Sequence, residues 1–83
     1  MTYSITFEKA ALKFLRKQDK KQQERILFSI KQLPDGTDIK RLQGHNLYRM
    51  RIGDIRVIYS IDSTVRIINV ENINNRGDIY KRY

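Results

Sequence analysis

The sequence predicts a small α+β domain in which a helical hairpin packs on an antiparallel sheet. Three observations lead to this prediction: an alternating apolar pattern near the N-terminus, two segments with helical apolar spacing after it, and three strand-like runs in the second half. A chain of 83 residues has room for only one hydrophobic core. We therefore expect residues 1–83 to form a single domain with the element order β-α-α-β-β-β and a short basic C-terminal tail.

The first strand is predicted over residues 2–7, in which apolar and small polar residues alternate. After it the apolar spacing becomes helical, and this predicts a first helix that ends near Lys17. Asp19, followed three residues later by Gln22, has the spacing of a capping box and indicates the start of a second helix. We expect that helix to end at Pro34-Asp35-Gly36, because proline and glycine interrupt helices.

The second half of the chain is predicted to form a meander. A polar connection over residues 35–46 leads into three strand-like runs, at residues 47–52, 55–61 and 65–70. Gly53-Asp54 and Asp62-Ser63 separate these runs and favour tight turns, so antiparallel pairing is the economical topology. From Glu71 we expect the chain to be turn-like at first and then to continue as a basic and aromatic tail.

Charge and cysteine content limit the functional classes. Lys and Arg number 17 against nine Asp and Glu, and the formal charge of +8 favours a polyanionic partner, with nucleic acid first. The alternative is that the charge serves solubility alone. Cysteine is absent, which excludes a disulfide framework and a thiolate metal site and makes the reducing cytoplasm the expected compartment. No apolar run approaches the roughly 18 residues of a membrane span, so we expect neither a signal peptide nor a membrane anchor.

Three arginines lie inside the predicted hairpin of residues 48–59, which reads YRMRIGDIRVIY. If the chain turns at Gly53-Asp54, Arg51 lies opposite Arg56, and both share one face with Arg49 while the apolar side chains take the other. Opposed guanidinium groups repel, so stability does not explain them, whereas planar donor forks on one face suit phosphate oxygens. The alternative is that they are solvent-facing arginines paired with carboxylates, namely Glu71, Asp78 or Asp54.

The same register predicts what lies further along the sheet. Ile68 and Val70 of the third run fall on the core face. An apolar patch is expected at the far end of the arginine face, where either the C-terminal tail or a partner covers it. Its predicted members are Ile58, Val65 and Ile67.

A longer pattern carries a family resemblance. The run L-x-G-x-x-x-Y-R-x-R-x-G-D-x-R-V-I-Y-x-I over residues 42–61, followed by Arg76-Gly77-Asp78-Ile79-Tyr80, resembles the RelE/ParE superfamily of toxins from bacterial toxin–antitoxin pairs. The strand-helix-helix order of residues 3–33 agrees with it. For the RelE branch, the resemblance implies an endoribonuclease that enters the ribosomal A site and cuts messenger RNA. The ParE branch shares the fold but inhibits DNA gyrase, and an antitoxin holds both kinds of toxin inactive.

The resemblance also implies a set of site residues. The family's basic positions on the middle strands fall on Arg49, Arg51 and Arg56, and its tail positions fall on Arg76 and Tyr80. The best-known RelE-type enzymes carry lysines on the first of these strands, and many relatives have a basic residue where Asn74-Asn75 precede the tail arginine here. RNA contacts are expected from further basic and aromatic residues, namely Lys40, Arg41, Lys81, Arg82 and Tyr83.

Cleavage through the RNA 2′-hydroxyl needs a base, positive donors around the phosphate and an acid for the departing oxygen. Arginine, with a pKa above about 12, serves as an electrostatic clamp and not as the base. Tyr80 is the expected proton carrier or base-stacking platform, while Glu71 and Asp78 remain alternative bases. No cluster of Cys, His or carboxylates has metal-ligand spacing, so we expect a route without metal or cofactor. The expected partners are an acidic or amphipathic antitoxin, the ribosome and messenger RNA.

Overall fold

The computed structural model describes residues 3–36, 38–42 and 46–75. In chain order the elements are β1 (Ser4–Phe7), α1 (Lys9–Lys17), α2 (Lys20–Lys31), β2 (Ile39–Arg41), β3 (Tyr48–Ile52), β4 (Ile55–Asp62) and β5 (Ile67–Asn74). The sheet has the strand order β1-β5-β4-β3-β2, in which β1 runs parallel to β5 and every other pair is antiparallel. The predicted α+β class is confirmed, and the sheet has five strands and is mixed, because β1 joins it in the parallel direction.

The helical hairpin forms where the local sequence predicts it. The Asp19 carboxylate accepts a hydrogen bond from the Gln22 backbone N–H at 2.8 Å, which caps α2. Across the turn, the Gln23 side-chain amide donates to the Gln18 backbone carbonyl at 2.9 Å. Both contacts join residues no more than five positions apart, so short-range sequence signals were sufficient to place the hairpin.

The core lies between this hairpin and one face of the sheet. The helices contribute Ala11, Leu15, Ile26 and Ile30, all of them buried. The sheet contributes the residues that the predicted register placed on the core face, together with Ile73, and Tyr48 and Tyr59 stack there with ring centroids 5.5 Å apart. Its buried members are Met50, Ile52, Ile55, Val57, Tyr59, Ile68, Val70 and Ile73.

The predicted polar connection of residues 35–46 contains a strand that the sequence did not indicate. β2 is three residues long and pairs antiparallel with β3, with Ile39 opposite Met50 and Arg41 opposite Tyr48. Three residues, two of them charged, are too few to display a period of two. Pairing at the edge of the sheet, rather than a local signal, makes this segment a strand.

The boundaries predicted for the last strand were wrong at both ends. β5 begins at Ile67 because residues 63–66 form a longer turn, in which the Asp62 carboxylate accepts from the Thr64 N–H at 3.0 Å. At the other end Ile58 pairs with Asn72 and Tyr59 with Val70, so Glu71 is the extra residue of a β-bulge and the strand continues to Asn74.

The bulge also changes which side chains reach the core. It shifts the alternation by one residue, so Ile73 is buried opposite Val57. A strict period of two predicts the opposite face for this residue. The tail that the sequence predicts after Asn75 lies outside the described residues. Within those residues, no helix is long and apolar enough to cross a membrane.

Candidate functional site

The face of the sheet that points away from the helices, here called the open face, carries the predicted arginines. Arg51 lies directly opposite Arg56, and Arg49 lies opposite Ile58, in the register predicted for the hairpin. β2 adds Lys40 opposite Arg49. Because side chains on paired positions share a face, these four cations occupy one region of the open face. We call this group, made of Lys40, Arg49, Arg51 and Arg56, the basic end.

Asp38 is the carboxylate that contacts the basic end. Its Oδ1 accepts a hydrogen bond from Arg49 Nη1 at 3.3 Å, and its Oδ2 forms an ion pair with Arg51 Nε at 3.7 Å. The side chain of Arg49 is 13% exposed, whereas those of Arg51 and Asp38 are 45% and 52% exposed. Two guanidinium groups thus share one carboxylate, which leaves an excess of one positive charge in the triad.

The alternative that the arginines pair with carboxylates holds for Arg49 and Arg51, but the partner is a carboxylate that the sequence analysis did not name. Within the described residues, the ion pairs of Arg49 and Arg51 go to Asp38 and not to Asp54 or Glu71. Arg56 Nη1 lies 3.4 Å from the backbone carbonyl oxygen of Asp54, so that contact uses the main chain and not the carboxylate. The sequence did not single out Asp38, because its partners lie on a strand whose pairing with β2 was not predicted.

The other end of the open face is a network of amide, hydroxyl and carboxylate groups, here called the amide-carboxylate end. Asn69 Nδ2 donates to Glu71 Oε2 at 2.7 Å and to Glu8 Oε1 at 3.3 Å, while Asn69 Oδ1 accepts from Thr6 Oγ1 at 2.8 Å. Ser60 Oγ donates to Glu71 Oε2 at 3.1 Å. Glu71, an alternative base in the sequence analysis, therefore directs its carboxylate to Ser60 and Asn69.

The predicted apolar patch on this face is wrong at one of its three positions. Ile58 is fully buried and stands between Arg49 and Asn72 on the neighbouring strands. Val65 is 59% exposed and Ile67 is half-buried, and both line a shallow cavity of about 760 Å³ beside the amide-carboxylate end. The exposed apolar surface is therefore smaller than the sequence predicted.

The remaining predicted residues divide into two groups. Arg41 is exposed, but its register opposite Tyr48 places it on the helix side of the sheet, away from Lys40 and the arginines. The others lie outside the described residues, and so does Asp78. They are Arg76, Tyr80, Lys81, Arg82 and Tyr83.

One tyrosine on the core side has a perturbed pKa. Burial, together with neighbouring Tyr48, raises the pKa of the Tyr59 hydroxyl from 10.0 to about 12. Tyr59 Oη is buried and has no hydrogen-bond partner among the described residues. The group therefore remains protonated near neutral pH, and it lies on the face of the sheet opposite the basic end.

Comparison with known proteins gives one family over most of the chain. Residues 5–80 match the family model described as the ParE toxin of the type II toxin-antitoxin system, parDE. No curated protein sequence matches this chain.

Solved structures agree with this assignment at the level of the fold. The chain is similar to a chain of the archaeal RelE-RelB complex from Pyrococcus horikoshii OT3, with 30% identity and a TM-score of 0.72 over 93% of this chain and 98% of that one. It is also similar to a chain of the RelB-RelE complex from Methanococcus jannaschii, at 25% identity and TM-score 0.71, covering 94% and 98%. Isolated RelE from E. coli matches at 21% identity and TM-score 0.71, covering 98% and 94%, which shows the fold alone.

Proposed function

The chain belongs to the RelE/ParE superfamily of toxins from type II toxin–antitoxin systems, and on that premise we propose that it is a ribosome-dependent endoribonuclease of messenger RNA. The observation that carries this proposal is the basic end, where arginines from two adjacent strands share one face with a net excess of positive charge. Guanidinium groups present planar pairs of donors that match phosphate oxygens. A scissile phosphodiester is the ligand that this arrangement fits best.

The reaction is attack of the RNA 2′-oxygen on the adjacent phosphorus, with breakage of the bond between phosphorus and the 5′-oxygen. The products are a 2′,3′-cyclic phosphate on one fragment and a 5′-hydroxyl on the other. Negative charge accumulates on the phosphate oxygens in the transition state, and fixed cations stabilise it more than they stabilise the ground state. Arg51 and Arg56 lie opposite each other on the hairpin and take this role.

The proton-transfer groups are assigned by family position. Tyr80 occupies the position of the family's tail tyrosine and is the proposed proton carrier or stacking platform, next to Arg76 as a further phosphate contact. Glu71 is a weaker candidate for the base, because Ser60 and Asn69 already donate hydrogen bonds to its carboxylate. Lys40 extends the basic end along the expected path of the RNA backbone.

The proposed partners follow from the charge of the chain and from its structural neighbours. Several of those neighbours were solved as complexes of RelE with the antitoxin RelB. We propose that this cytoplasmic toxin acts on messenger RNA in the ribosome. An acidic or amphipathic antitoxin segment holds it inactive by neutralising the basic end.

The test is to map RNA 5′ ends in a translating extract with and without the purified protein. The proposal predicts new 5′-hydroxyl ends within coding sequences, which disappear when translation initiation is blocked. Unchanged RNA ends in an extract whose protein synthesis is arrested would overturn the nuclease assignment.

A second candidate is inhibition of DNA gyrase, and it is favoured by the description of the matching family model as the ParE toxin. It predicts loss of supercoiling by purified gyrase and no new RNA ends. Assaying supercoiling and RNA ends on the same protein preparation separates the two functions. Inhibited gyrase with intact RNA selects the second function, and cleaved RNA with active gyrase selects the first.

A further inference from the structure

The backbone of Asp38 is fixed at the edge of the sheet by pairing with β3. Its backbone carbonyl accepts a hydrogen bond from the Arg51 N–H at 3.1 Å, and Ile39 begins β2 directly after it. Its φ of 56° lies in the left-handed region, which aspartate and asparagine enter more readily than most residues. Non-glycine residues in this region cluster at functional sites, so the conformation directs attention to the side chain.

The carboxylate of Asp38 meets two arginines in different ways. Arg49 is nearly buried and binds Oδ1 through the terminal nitrogen Nη1. Arg51 is half exposed and faces Oδ2 through Nε. An arginine held at Nε retains its two terminal nitrogens for an outside acceptor, and these form the planar fork that matches a phosphate.

Repulsion between the arginines gives the carboxylate an electrostatic role. Arg49 and Arg51 are two residues apart on β3 and share a face, so their Cα atoms are roughly 7 Å apart at strand spacing. Like charges on the same face of a sheet repel, and Arg56 opposite Arg51 adds to the effect. A single negative charge between Arg49 and Arg51 offsets this repulsion while it leaves the basic end positive.

We infer that Asp38 is a positioning residue, which holds the guanidinium groups of Arg49 and Arg51 in the orientation that grips the scissile phosphate. The inference rests on the proposed nuclease function. Asp38 acts through the two arginines and transfers no proton itself. Loss of its charge raises the positive charge of the basic end, so RNA binds more tightly, but the forks lose their orientation and cleavage slows.

The decisive variant is Asp38→Asn, because asparagine has the same shape and tolerates the left-handed backbone. The matched control is Asp35→Asn, which removes an exposed carboxylate three residues earlier. For Asp38→Asn we expect single-turnover cleavage in translating ribosomes to slow roughly ten- to hundredfold, as for other displaced catalytic groups. Affinity for a short single-stranded RNA should rise about two- to fivefold at low salt. Asp35→Asn should cleave at the rate of the unaltered chain.

The pH profile separates positioning from proton transfer. If Asp38 acts only as a positioning charge, Asp38→Asn should lower the cleavage rate by the same factor at every pH between about 5 and 9. Asp38→Glu, which keeps the charge, should recover part of the rate. A rate loss confined to one limb of the profile, weaker RNA binding, or unaltered cleavage by Asp38→Asn would each overturn the inference.

A readout independent of cleavage separates this inference from the proposed function. If the unaltered chain cuts no RNA, the nuclease proposal fails, and the positioning role is then read from the side-chain Nε–H resonances of Arg49 and Arg51 in isotope-labelled protein. The inference predicts that Asp38→Asn shifts and mobilises both resonances, whereas Asp35→Asn leaves them in place. Resonances that are the same in both variants would refute the positioning role whatever the activity.

Discussion

The basic end and the amide-carboxylate end lie on the same face of the same sheet, yet their charged groups have different kinds of partner. At the amide-carboxylate end, Asn69 and Ser60 donate hydrogen bonds to the carboxylates beside them, so the polar groups satisfy one another. At the basic end, the single carboxylate of Asp38 forms ion pairs with both Arg49 and Arg51. The carboxylates of the amide-carboxylate end thus receive hydrogen bonds from neighbouring residues of the chain. The basic end keeps an excess of positive charge, which suits it to bind an external anion.

The largest expected effect is on cleavage by an arginine variant of the basic end. Arg56→Ala removes a cation of the basic end from β4, the central strand of the sheet, and loss of one such transition-state contact costs about 10²- to 10³-fold in rate. Arg16→Ala is the matched control. It removes the same charge from an exposed position of α1, on the helix side of the sheet. Quantification of new RNA 5′ ends in a translating extract measures both. Equal cleavage rates for the two variants would show that Arg56 contributes no more to cleavage than an arginine outside the basic end.

The next largest effect concerns the turn that brings Arg51 opposite Arg56. Gly53 has a φ of 61°, in the left-handed region that L side chains enter at a cost, and a Cβ added there would also lie 2.7 Å from Nη2 at the end of the Arg25 side chain of α2, which can shift away. Gly53→Ala should therefore lower the free energy of unfolding by about 1–2 kcal/mol. Urea denaturation measures the loss.

The double variant Gly53→Ala with Arg25→Ala separates the two causes. It should recover the part of the stability loss that comes from contact with Arg25 and leave the backbone part. If Gly53→Ala is as stable as the unaltered chain, the turn does not need glycine, and the register of the arginines is held by other contacts.

The Tyr59 hydroxyl differs from the polar groups of both ends, because it is buried in the core and has no hydrogen-bond partner among the described residues. Tyr59→Phe should raise the free energy of unfolding by about 1 kcal/mol at neutral pH, because a buried unsatisfied group is removed. The folded pKa of about 12 lies above the ordinary value of 10.0, so the unfolded chain loses this proton first as pH rises. Stability of the unaltered chain therefore falls between pH 10 and 12, and that of Tyr59→Phe falls less.

Urea unfolding at pH 8 and pH 11 measures this difference. The advantage of Tyr59→Phe should widen by roughly 1 kcal/mol at the higher pH. An advantage that stays constant would mean that Tyr59 ionises alike in the folded and unfolded chains.

The smallest expected effect concerns the amide-carboxylate end. Ser60 lies on the same strand as Arg56 and donates one hydrogen bond to Glu71 at 3.1 Å. Ser60→Ala should cost about 0.5–1 kcal/mol of stability and leave cleavage unchanged. Thermal unfolding and RNA end mapping test the two halves of this prediction. A tenfold loss of cleavage would show that the amide-carboxylate end takes part in the reaction.

Sequence reasoning succeeded where neighbouring residues determine the structure. The cap at Asp19, the turn at Gly53-Asp54 and the pairing of Arg51 with Arg56 involve partners close along the chain, and all were predicted. It failed at β2 and at the bulge beside Glu71, because both depend on strands that meet only in the folded sheet. The predicted tail residues, including Tyr80, stay predictions.

By itself, the sequence determined the helical hairpin, the core face of the middle strands and the gathering of Arg49, Arg51 and Arg56 on the other face. Periodicity and turn chemistry act over a few residues, so they can be recognised without knowledge of the whole fold. Only the tertiary structure decided that β2 joins the sheet edge and that Asp38 reaches two arginines more than ten residues away. The physical reason is that an ion pair between distant residues forms only after strand pairing has brought its partners together.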